Sequence, residues 1–521
     1  MRQSNKSNHA RIQAIHPTLY RALLAAMLLC CASCMVGPKY QRPTAPPAPG
    51  YKELSPDFYK EMEGWKQAQP SDSLIKGKWW EMYNDPALNA LEEQVAISNQ
   101  NVLQAEAQFR AARAAVRVAR AALFPTIGSA PAITNSRTAS GGTAVIGSGG
   151  SVHSLFALPV EAAWTADIWG SVRRSIAASA ATAQESFASL ENARLLYQAE
   201  LAQDYFQLHG LDGDYQLLDT TAKSYEKYLE LTRNRYAGGI ASEGDVAQAE
   251  TQLDTTRAQL IDIGVQRAQF EHAIAILTGR APSGFSIPMA PLKTPPPPVP
   301  AGVPSNLLER RPDIAAAERN VAAANEQIGI AMAAFYPNLT LSATGGLEAS
   351  NISSWFTWPS RFWSLGPQLS ETLFDAGKRR ATVLEQQALY DATVAGYRQT
   401  VLTAFQQVED NLAALHVLSN EAQAQDQAVK AAERSLRITT DQYKGGITSY
   451  LQVITNQSTA LANERTAVDI LTRRMTASVL LIEALGGGWD VSRLPSQEDL
   501  LSATAKPKKS KTQPPPTPPA P

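Results

Sequence analysis

The most constraining feature of this chain of 521 residues is an internal duplication. Four pairs of short motifs occur in the same order in both halves: Ala122-Leu-Phe-Pro125 and Ala334-Phe-Tyr-Pro337, Gly170-Ser-Val-Arg173 and Gly377-Lys-Arg-Arg380, Tyr236-Ala-Gly-Gly-Ile240 and Tyr443-Lys-Gly-Gly-Ile447, and Leu277-Thr-Gly279 and Leu485-Gly-Gly487. Their spacings are 212, 207, 207 and 208 residues. Such constant spacing predicts two repeats of one unit, each in the order helix, strand, strand, long helix, turn, helix.

Composition and turn residues divide the chain into five segments. We expect a signal peptide over 1–33, an extended leader over 34–84, a first repeat over 85–300, a second repeat over 301–490, and a disordered tail rich in Lys and Pro over 491–521. In the first repeat we expect helices from about 87 to 123, from 170 to 236 and from 242 to 277. At 1.5 Å per residue, the long helix would span about 100 Å. The return helices would be too short to match it unless other helices stacked on their ends.

The long helices carry apolar residues at intervals of seven. Tyr443, Leu436, Val429, Ala422, Leu415, Val408 and Val401 follow this spacing in the second repeat, and Tyr236, Leu229, Ala222, Tyr215, Leu208 and Leu201 follow it in the first. Sustained heptads predict helices packed side by side as coiled coils. Taken alone, this pattern also fits a long soluble coiled coil.

Alternating runs favour a membrane protein instead. Leu339, Leu341 and Ala343 alternate with polar residues, and so do Trp363, Leu365, Leu369 and Leu373. Runs of about 10–12 residues with aromatic residues at both ends are typical of transmembrane β-strands, although a soluble amphipathic sheet could share the alternation. Four such strands per chain cannot close a barrel, because the smallest barrels have about eight strands and open edges are not tolerated in lipid. The chain must therefore assemble as a dimer, trimer or tetramer.

The N-terminus predicts export and a lipid anchor. Basic residues precede an apolar core over 22–29, and all three cysteines lie within Cys30-Cys-Ala-Ser-Cys34. Ala32 and Ser33 before Cys34 are typical of a bacterial lipoprotein signal, with lipid attached to Cys34, although an ordinary signal peptide is the alternative. Met35 after the cysteine favours sorting to the outer membrane. The covalent lipid would be the only non-protein group, since the chain indicates no cofactor.

Several functional classes lack support in the sequence. A net charge of −1 gives no indication of nucleic-acid binding. The six histidines fall in no metal-binding spacing, and the chain has no P-loop and no Gly-x-Ser-x-Gly. We therefore expect neither an enzyme nor a metal site.

The motifs of the chain resemble the TolC-like outer-membrane efflux channels, in the lipoprotein branch of NodT type that serves resistance–nodulation–division pumps. The residues that carry the resemblance are Cys34-Met-Val-Gly-Pro38, Trp79-Trp80 with Asp85-Pro86, Glu309-Arg-Arg-Pro-Asp-Ile314, Leu373-Phe-Asp375 with Gly377, and Leu485-Gly-Gly-Gly-Trp489.

This resemblance implies a mixed α and β fold in a homotrimer, with a 12-strand outer-membrane β-barrel continuous with a 12-helix periplasmic α-barrel. It implies a periplasmic adaptor (membrane-fusion) protein, an inner-membrane pump of the resistance–nodulation–division class, and contact with outer-membrane lipid. The function would be passive export of drugs and other small toxic compounds, with the entrance closed at rest. Two alternatives stay open: a channel for protein secretion, and a coiled-coil lipoprotein without a pore.

The two Tyr-x-Gly-Gly-Ile turns are the predicted periplasmic tips. Turn chemistry explains them by itself, because glycine supplies the left-handed residue that ends a helix, and Ser242 to Asp245 and Ser449 to Gln452 fit the capping-box pattern. The functional hypothesis adds adaptor docking at Gly238, Gly239, Ile240, Gly445, Gly446 and Ile447. The pore constriction candidates are Asp245, Gln452, Thr455, Tyr236 and Tyr443. The resemblance implies acidic residues near the starts of the return helices, where the second repeat has Gln452 and Thr455.

Overall fold

The computed structural model describes residues 35–46, 50–54, 77–137, 152–299 and 307–502. The predicted signal peptide, the predicted lipid site Cys34 and residues 503–521 lie outside these ranges. The helices are α1 (Pro86–Ser98), α2 (Gln100–Ala121), α3 (Ser171–Ala237), α4 (Glu243–Leu277), α5 (Leu307–Arg310), α6 (Pro312–Ala333), α7 (Lys378–Lys444), α8 (Tyr450–Ala484) and α9 (Gln497–Leu501). The strands are β1 (Thr126–Ser129), β2 (Ala132–Arg137), β3 (Val152–Ala166), β4 (Asn338–Ala349) and β5 (Arg361–Ser370).

The two halves share their longest elements. Helices α3 and α7 have 67 residues each, and the return helices α4 and α8 have 35 each. Both long helices begin after a glycine with positive φ, Gly170 at 81° and Gly377 at 87°. An aspartate satisfies free N–H groups at each start: Asp167 accepts from Val172, and Asp375 accepts from Gly377 and Arg379. The predicted long helices and return helices are confirmed.

The strands form one antiparallel sheet with β1 and β2 at one edge and β5 at the other. We expected one strand where the structure has β1 and β2, and both pair with β3. The interruption falls at Ala130-Pro131, where proline has no N–H for the ladder. The sheet therefore has five strands in four positions.

One face of this sheet carries the expected apolar residues. The register places Leu365 opposite Ala343 and Leu369 opposite Leu339. On β5, Trp363 is 82% exposed, and Leu365 and Leu369 are similarly exposed. The alternation predicted for β4 and β5 is confirmed, except that β5 ends at Ser370 and leaves Leu373 exposed beyond the strand.

The predicted helix from 87 to 123 is in fact two helices. Asn99 adopts an extended conformation with ψ 123°, and its side chain accepts hydrogen bonds from Asn101 and Val102 to begin α2. The side-chain amide of Asn99 also donates a 3.0 Å hydrogen bond from Nδ2 to the Leu277 carbonyl at the end of α4. The break therefore lies against the end of α4.

Helices stack end to end in both repeats, as the length argument required. The Asn99–Leu277 contact joins α2 to α4. In the second repeat, Arg311 Nη1 donates a 2.9 Å hydrogen bond to the Ala484 carbonyl, which joins α6 to α8. In each half, two shorter helices therefore run beside one long helix.

Heptad residues form the helical core. Leu201, Leu208, Ala222 and Leu229 are buried on α3, as are Val401 and Val408 on α7. Among the helices that the structure describes, none is both long enough and apolar enough to cross a bilayer.

The expected disorder from residue 491 is wrong for its first part. Residues 491–502 include α9, whose Leu500 is buried against Val116 and Ala180. Arg113 on α2 donates to the carbonyls of Asp499 and Ser502. Apolar burial and these bonds therefore order this segment, although its composition is polar.

Candidate functional site at the helical tips

Both tip turns end their long helices in the same way. Gly239 has φ 73° and Gly446 has φ 75°. In the first turn, the N–H groups of Gly239 and Ile240 donate to the carbonyls of Tyr236 and Arg235, at 2.9 and 2.8 Å. This pair of bonds is the Schellman motif, which needs a left-handed residue and so favours glycine.

The second turn repeats this geometry. Gly446 donates to Tyr443 at 3.0 Å, and Ile447 donates to Gln442 at 2.9 Å. Ile240 and Ile447 are mostly exposed. The turn chemistry predicted for both glycine pairs is confirmed, and all six proposed docking residues lie on the protomer surface. Their docking role stays a prediction.

The return helices begin differently. In the first repeat, Asp245 N–H donates to the Ser242 hydroxyl, and the Asp245 carboxylate accepts from the Ser242 N–H, which completes a capping box. The capping box predicted from Ser449 to Gln452 is wrong, because the Ser449 side chain makes no capping hydrogen bond. Gln452 N–H bonds to the Ser449 backbone carbonyl instead, at 3.3 Å.

An arginine joins the two hairpins just above the turns. Arg235, near the end of α3, donates from Nη1 to the carbonyls of Tyr443 and Lys444, at 2.9 and 3.4 Å. Its guanidinium carbon also lies 4.5 Å from the Tyr443 ring centroid. These carbonyls end α7, where a cation is favourable because the helix dipole places partial negative charge there. Arg235 therefore fastens the first hairpin to the last turn of the second long helix.

Four tyrosines pack beside this contact, on the side away from the turns. The Tyr443 and Tyr450 rings lie 5.4 Å apart, and both pack in an apolar cluster with Tyr225 and Tyr228. Burial raises the pKa of Tyr450, as do nearby groups that include Tyr443 and Asp245. Tyr450 is therefore a neutral, packed hydroxyl at physiological pH. We call Tyr225, Tyr228, Thr232, Arg235, Tyr443 and Tyr450 the tip cluster.

The constriction candidates fall in two environments. Tyr236 is 49% exposed, whereas its repeat counterpart Tyr443 is 4% exposed and buried between the hairpins. Gln452 and Thr455 are exposed on α8, and Asp245 is half-buried. Tyr443 could line a pore only if the hairpins separated there, and the pore roles of all five residues stay predictions.

Sequence reasoning missed Arg235. The 207-residue spacing aligns Arg235 with Gln442, so comparison of the repeats could have revealed the unequal charge. Nothing in the chain pattern indicated that Arg235 would reach the other hairpin. That contact depends on how the two long helices pack.

A second buried polar group lies farther up the helices. Asp212 accepts from His209, from Arg267 and from the Ala290 N–H. Burial would raise the pKa of Asp212, but these hydrogen bonds outweigh burial and lower it. The group ties the segment after α4 to α3 and is structural. Among the described residues, no group of three or more His, Cys, Asp or Glu could hold a metal ion.

The comparison with known proteins decides the family. The model of the outer membrane efflux protein family matches residues 91–280 and 303–487. The chain belongs to the outer membrane efflux protein family. The two matched segments contain the two helical hairpins, so both repeats are covered.

Relatives in this family match almost end to end. The chain is 30% identical over 478 residues to the probable efflux pump outer membrane protein TtgC of Pseudomonas putida, covering 89% of this chain and 95% of that one. It is 31% identical to the outer membrane protein OprJ of Pseudomonas aeruginosa, covering 91% and 96%. The solved structure of the outer-membrane channel OprN is 26% identical and superposes with a TM-score of 0.79, covering 88% and 100%. The protein is thus an outer-membrane channel of an efflux system, with the mixed α and β fold of such channels.

Proposed function

We propose that three copies of this chain form a closed duct for the export of small toxic compounds. The observation that carries the proposal is the sheet. It has an exposed apolar face and two free edges, β1 with β2 and β5, and it occupies four strand positions. Joining these edges around a threefold axis gives 12 strand positions, an ordinary size for a barrel, and removes every edge from lipid.

The helical part extends the same symmetry. Each protomer supplies two long helices and two stacked pairs, which makes four helical columns per chain and 12 in the trimer. Exposed apolar residues on α4 and α7, including Ile261, Val265, Leu384 and Leu402, would be covered by neighbouring protomers. The six tips would then surround the periplasmic entrance.

The family relationship supports the partners that we propose. A periplasmic adaptor would bind the exposed tip turns, and an inner-membrane pump of the resistance–nodulation–division class would supply the energy. The duct itself would be passive. The names of similar proteins mention antibiotics and toluene, which supports drugs and solvents as the cargo. Lipid on Cys34 would anchor each protomer in the outer membrane.

The tip cluster would hold the entrance closed at rest. Arg235 and Tyr443 join the two hairpins of one protomer, so separation of the hairpins must break their contacts. Asp245 has no acidic counterpart in the second repeat, where Gln452 stands. We therefore propose that the first hairpin carries most of the charge at the constriction.

Deletion and reconstitution test this proposal. Deleting the gene should sensitise cells to drugs, dyes and solvents, and the intact gene should restore resistance. Purified trimers in planar bilayers should conduct ions. If drug sensitivity is unchanged and an exported protein disappears from the medium, the channel serves secretion. If trimers never conduct, even with adaptor present, the chain is a coiled-coil lipoprotein without a pore.

A further inference from the structure

The leader before the first repeat is held by a buried arginine. Arg174, in the first turns of α3, is 2% exposed. Its Nε donates to the Val36 carbonyl at 2.5 Å, its Nη2 donates to the Pro38 carbonyl at 3.1 Å, and its Nη1 pairs with Glu326 of α6 at 2.8 Å. Each guanidinium nitrogen thus has a partner. Glu326 offsets the buried positive charge, and the two leader carbonyls accept the remaining guanidinium hydrogen bonds.

Two glycines make the space for this arginine. A Cβ atom at Gly329 would lie 2.2 Å from Arg174 Cδ and Nε, well inside contact distance. A Cβ atom at Gly37 would lie 2.7 Å from Gly329 Cα, and Gly37 has φ 105°, which favours glycine. Leader, arginine and α6 therefore fit together only with glycine at both positions.

The contacts between Arg174 and the leader lie where the sheet meets the helices. Val36 N–H donates to the Trp169 carbonyl at 3.1 Å, and Met35 packs on Gly170. Trp169 stacks on Tyr336 with ring centroids 4.6 Å apart. These residues join β3 to α3 and α6 to β4. Residue 34 is thus adjacent in sequence to a residue at this junction.

The other end of the described leader is attached to the helices farther from the sheet. Tyr51 is buried in the apolar cluster of Ile314, Val401 and Val408, and the N–H groups of Lys52 and Glu53 donate to the Glu409 carboxylate. An intermediate attachment lies nearer the junction, where the Tyr40 hydroxyl donates to Glu318 of α6. Residue 35 is about five residues from Tyr40, a stretch that could span about 17 Å when extended. If the Arg174 contacts were lost, residue 34 could move away from the junction by about the length of this short stretch.

We propose that Arg174, Glu326 and Gly329 form a positioning clamp that fixes the lipid-bearing Cys34 at the junction of barrel and helices. The inference rests on the lipid anchor in the proposed function. The clamp places the acyl chains beside the barrel, in the leaflet that the junction faces. The distance between the lipid anchor and the barrel is then fixed when both enter the bilayer.

A nitroxide on Lys39→Cys of the full-length protein tests the clamp. Lys39 is exposed and follows Pro38, and the chain has no cysteine after Cys34, so the labelled thiol is unique in the mature protein. The label is studied in the lipidated form and in a Cys34→Ser form exported with an ordinary signal peptide. Mass spectrometry of the first form reports separately whether Cys34 carries lipid.

The label is placed in a Tyr40→Phe background, which removes the neighbouring attachment to Glu318. In this background, Arg174→Gln should release the leader in both forms. We expect the ratio of mobile to immobile label to rise at least tenfold, which corresponds to about 1.4 kcal/mol. Gly329→Ala should act in the same direction without changing any charge, and Glu326→Gln should have a smaller effect. In bilayers, the lipidated Arg174→Gln protein should show a broadened range of label depths.

Arg379→Gln is the matched control. Arg379 occupies the corresponding junction of the second repeat and pairs with Asp375 at 2.6 Å. Its loss should leave the label spectrum unchanged. If trimers of Arg174→Gln and of Gly329→Ala both keep an immobile label, the clamp does not hold the leader and the proposal is wrong. If the clamp variants mobilise the label but Cys34 carries no lipid, the leader is clamped and only the anchor in the proposed function fails.

Discussion

Arg235 donates a 2.9 Å hydrogen bond to the carbonyl of Tyr443 and lies over its ring, although the two residues belong to different hairpins. One side chain therefore satisfies the end of a neighbouring helix and contacts the aromatic residue in its last turn. Among the described residues, few other polar contacts join the hairpins so close to the tips.

Replacing Arg235 should loosen the entrance. Hydrogen bonds to a charged group contribute about 1.5–3 kcal/mol, and part of that would be lost in Arg235→Gln. We expect the open fraction of single channels in planar bilayers to rise roughly tenfold. Arg233→Gln is the control, because Arg233 makes only an exposed pair with Glu250 on its own hairpin. Equal open fractions in the two variants would remove Arg235 from the closing mechanism.

The positive φ angles at the tips should make Gly239 and Gly446 sensitive to substitution. A Cβ atom at either position would meet nothing within 4 Å, so the penalty comes from the backbone alone. Left-handed geometry costs a residue with a side chain about 1–2 kcal/mol, and more for a β-branched one. The double variant with valine at both positions should still form trimers but lose efflux in drug-sensitivity assays.

Gly238→Ala provides the contrast for these glycines. Gly238 has φ −82°, and an added Cβ would make only ordinary contacts, the nearest at 3.5 Å. This variant should retain efflux. Normal efflux in the double valine variant would mean that the turns tolerate strain or that docking does not use them.

The unequal caps predict unequal fraying of the return helices. Ser242→Ala should destabilise the first turn of α4 by about 1 kcal/mol, because the capping hydrogen bond is lost. Ser449→Ala should have little effect on α8, since the Ser449 side chain caps nothing. Amide hydrogen exchange at residues 243–246 and 450–453 measures both. Similar acceleration in both variants would contradict the assigned caps.

Glu92 should make stability depend on pH. Its side chain is buried in the helical body, neither carboxyl oxygen has a hydrogen-bond partner among the described residues, and burial raises its pKa well above the usual value. Below the pKa of Glu92 in the unfolded chain, both the folded and the unfolded chain hold the proton, so ionisation of Glu92 does not change the free energy of unfolding. As pH rises through that value, the unfolded chain releases its proton first, so folding loses stability until the raised folded pKa is reached.

Glu92→Leu should therefore raise Tm by a few degrees at pH 7 and much less at pH 4, since every tenfold difference in proton affinity between the folded and unfolded chain corresponds to about 1.4 kcal/mol. Thermal unfolding of the purified protein at several pH values tests this. Glu93→Gln is the control, because Glu93 is exposed and pairs with Lys78. A pH-independent gain for Glu92→Leu would show that packing, and not ionisation, causes the difference.

Periodic features were predictable from sequence, and contacts between distant segments were not. Heptads, alternation and the repeated glycine turns predicted the long helices, the sheet and the tips because each pattern reports local geometry. The break at Asn99 was missed: Asn99 caps α2 locally, but its hydrogen bond to the end of α4, 178 residues away in sequence, could not be predicted from a local pattern. The same limit hid Arg235 and the ordered segment with Leu500.

The two tyrosines of the repeat illustrate this limit. Tyr236 and Tyr443 occupy the same place in the heptad and the same place before the turn. Within one protomer their exposures differ, because Tyr443 packs against Tyr450 and Arg235 whereas Tyr236 stays half exposed. Sequence identity at a repeat position therefore did not predict equal packing within the protomer.

The joints at Asn99–Leu277 and Arg311–Ala484 have a mechanical consequence. Each lies between two helices that meet without a peptide bond, while the long helix beside them is continuous. In the proposed trimer these joints would fall at nearly one height, because they occupy equivalent positions in the two repeats. The wall would then be segmented at that level, so that the lower hairpins could twist about their long helices while the upper part kept its shape.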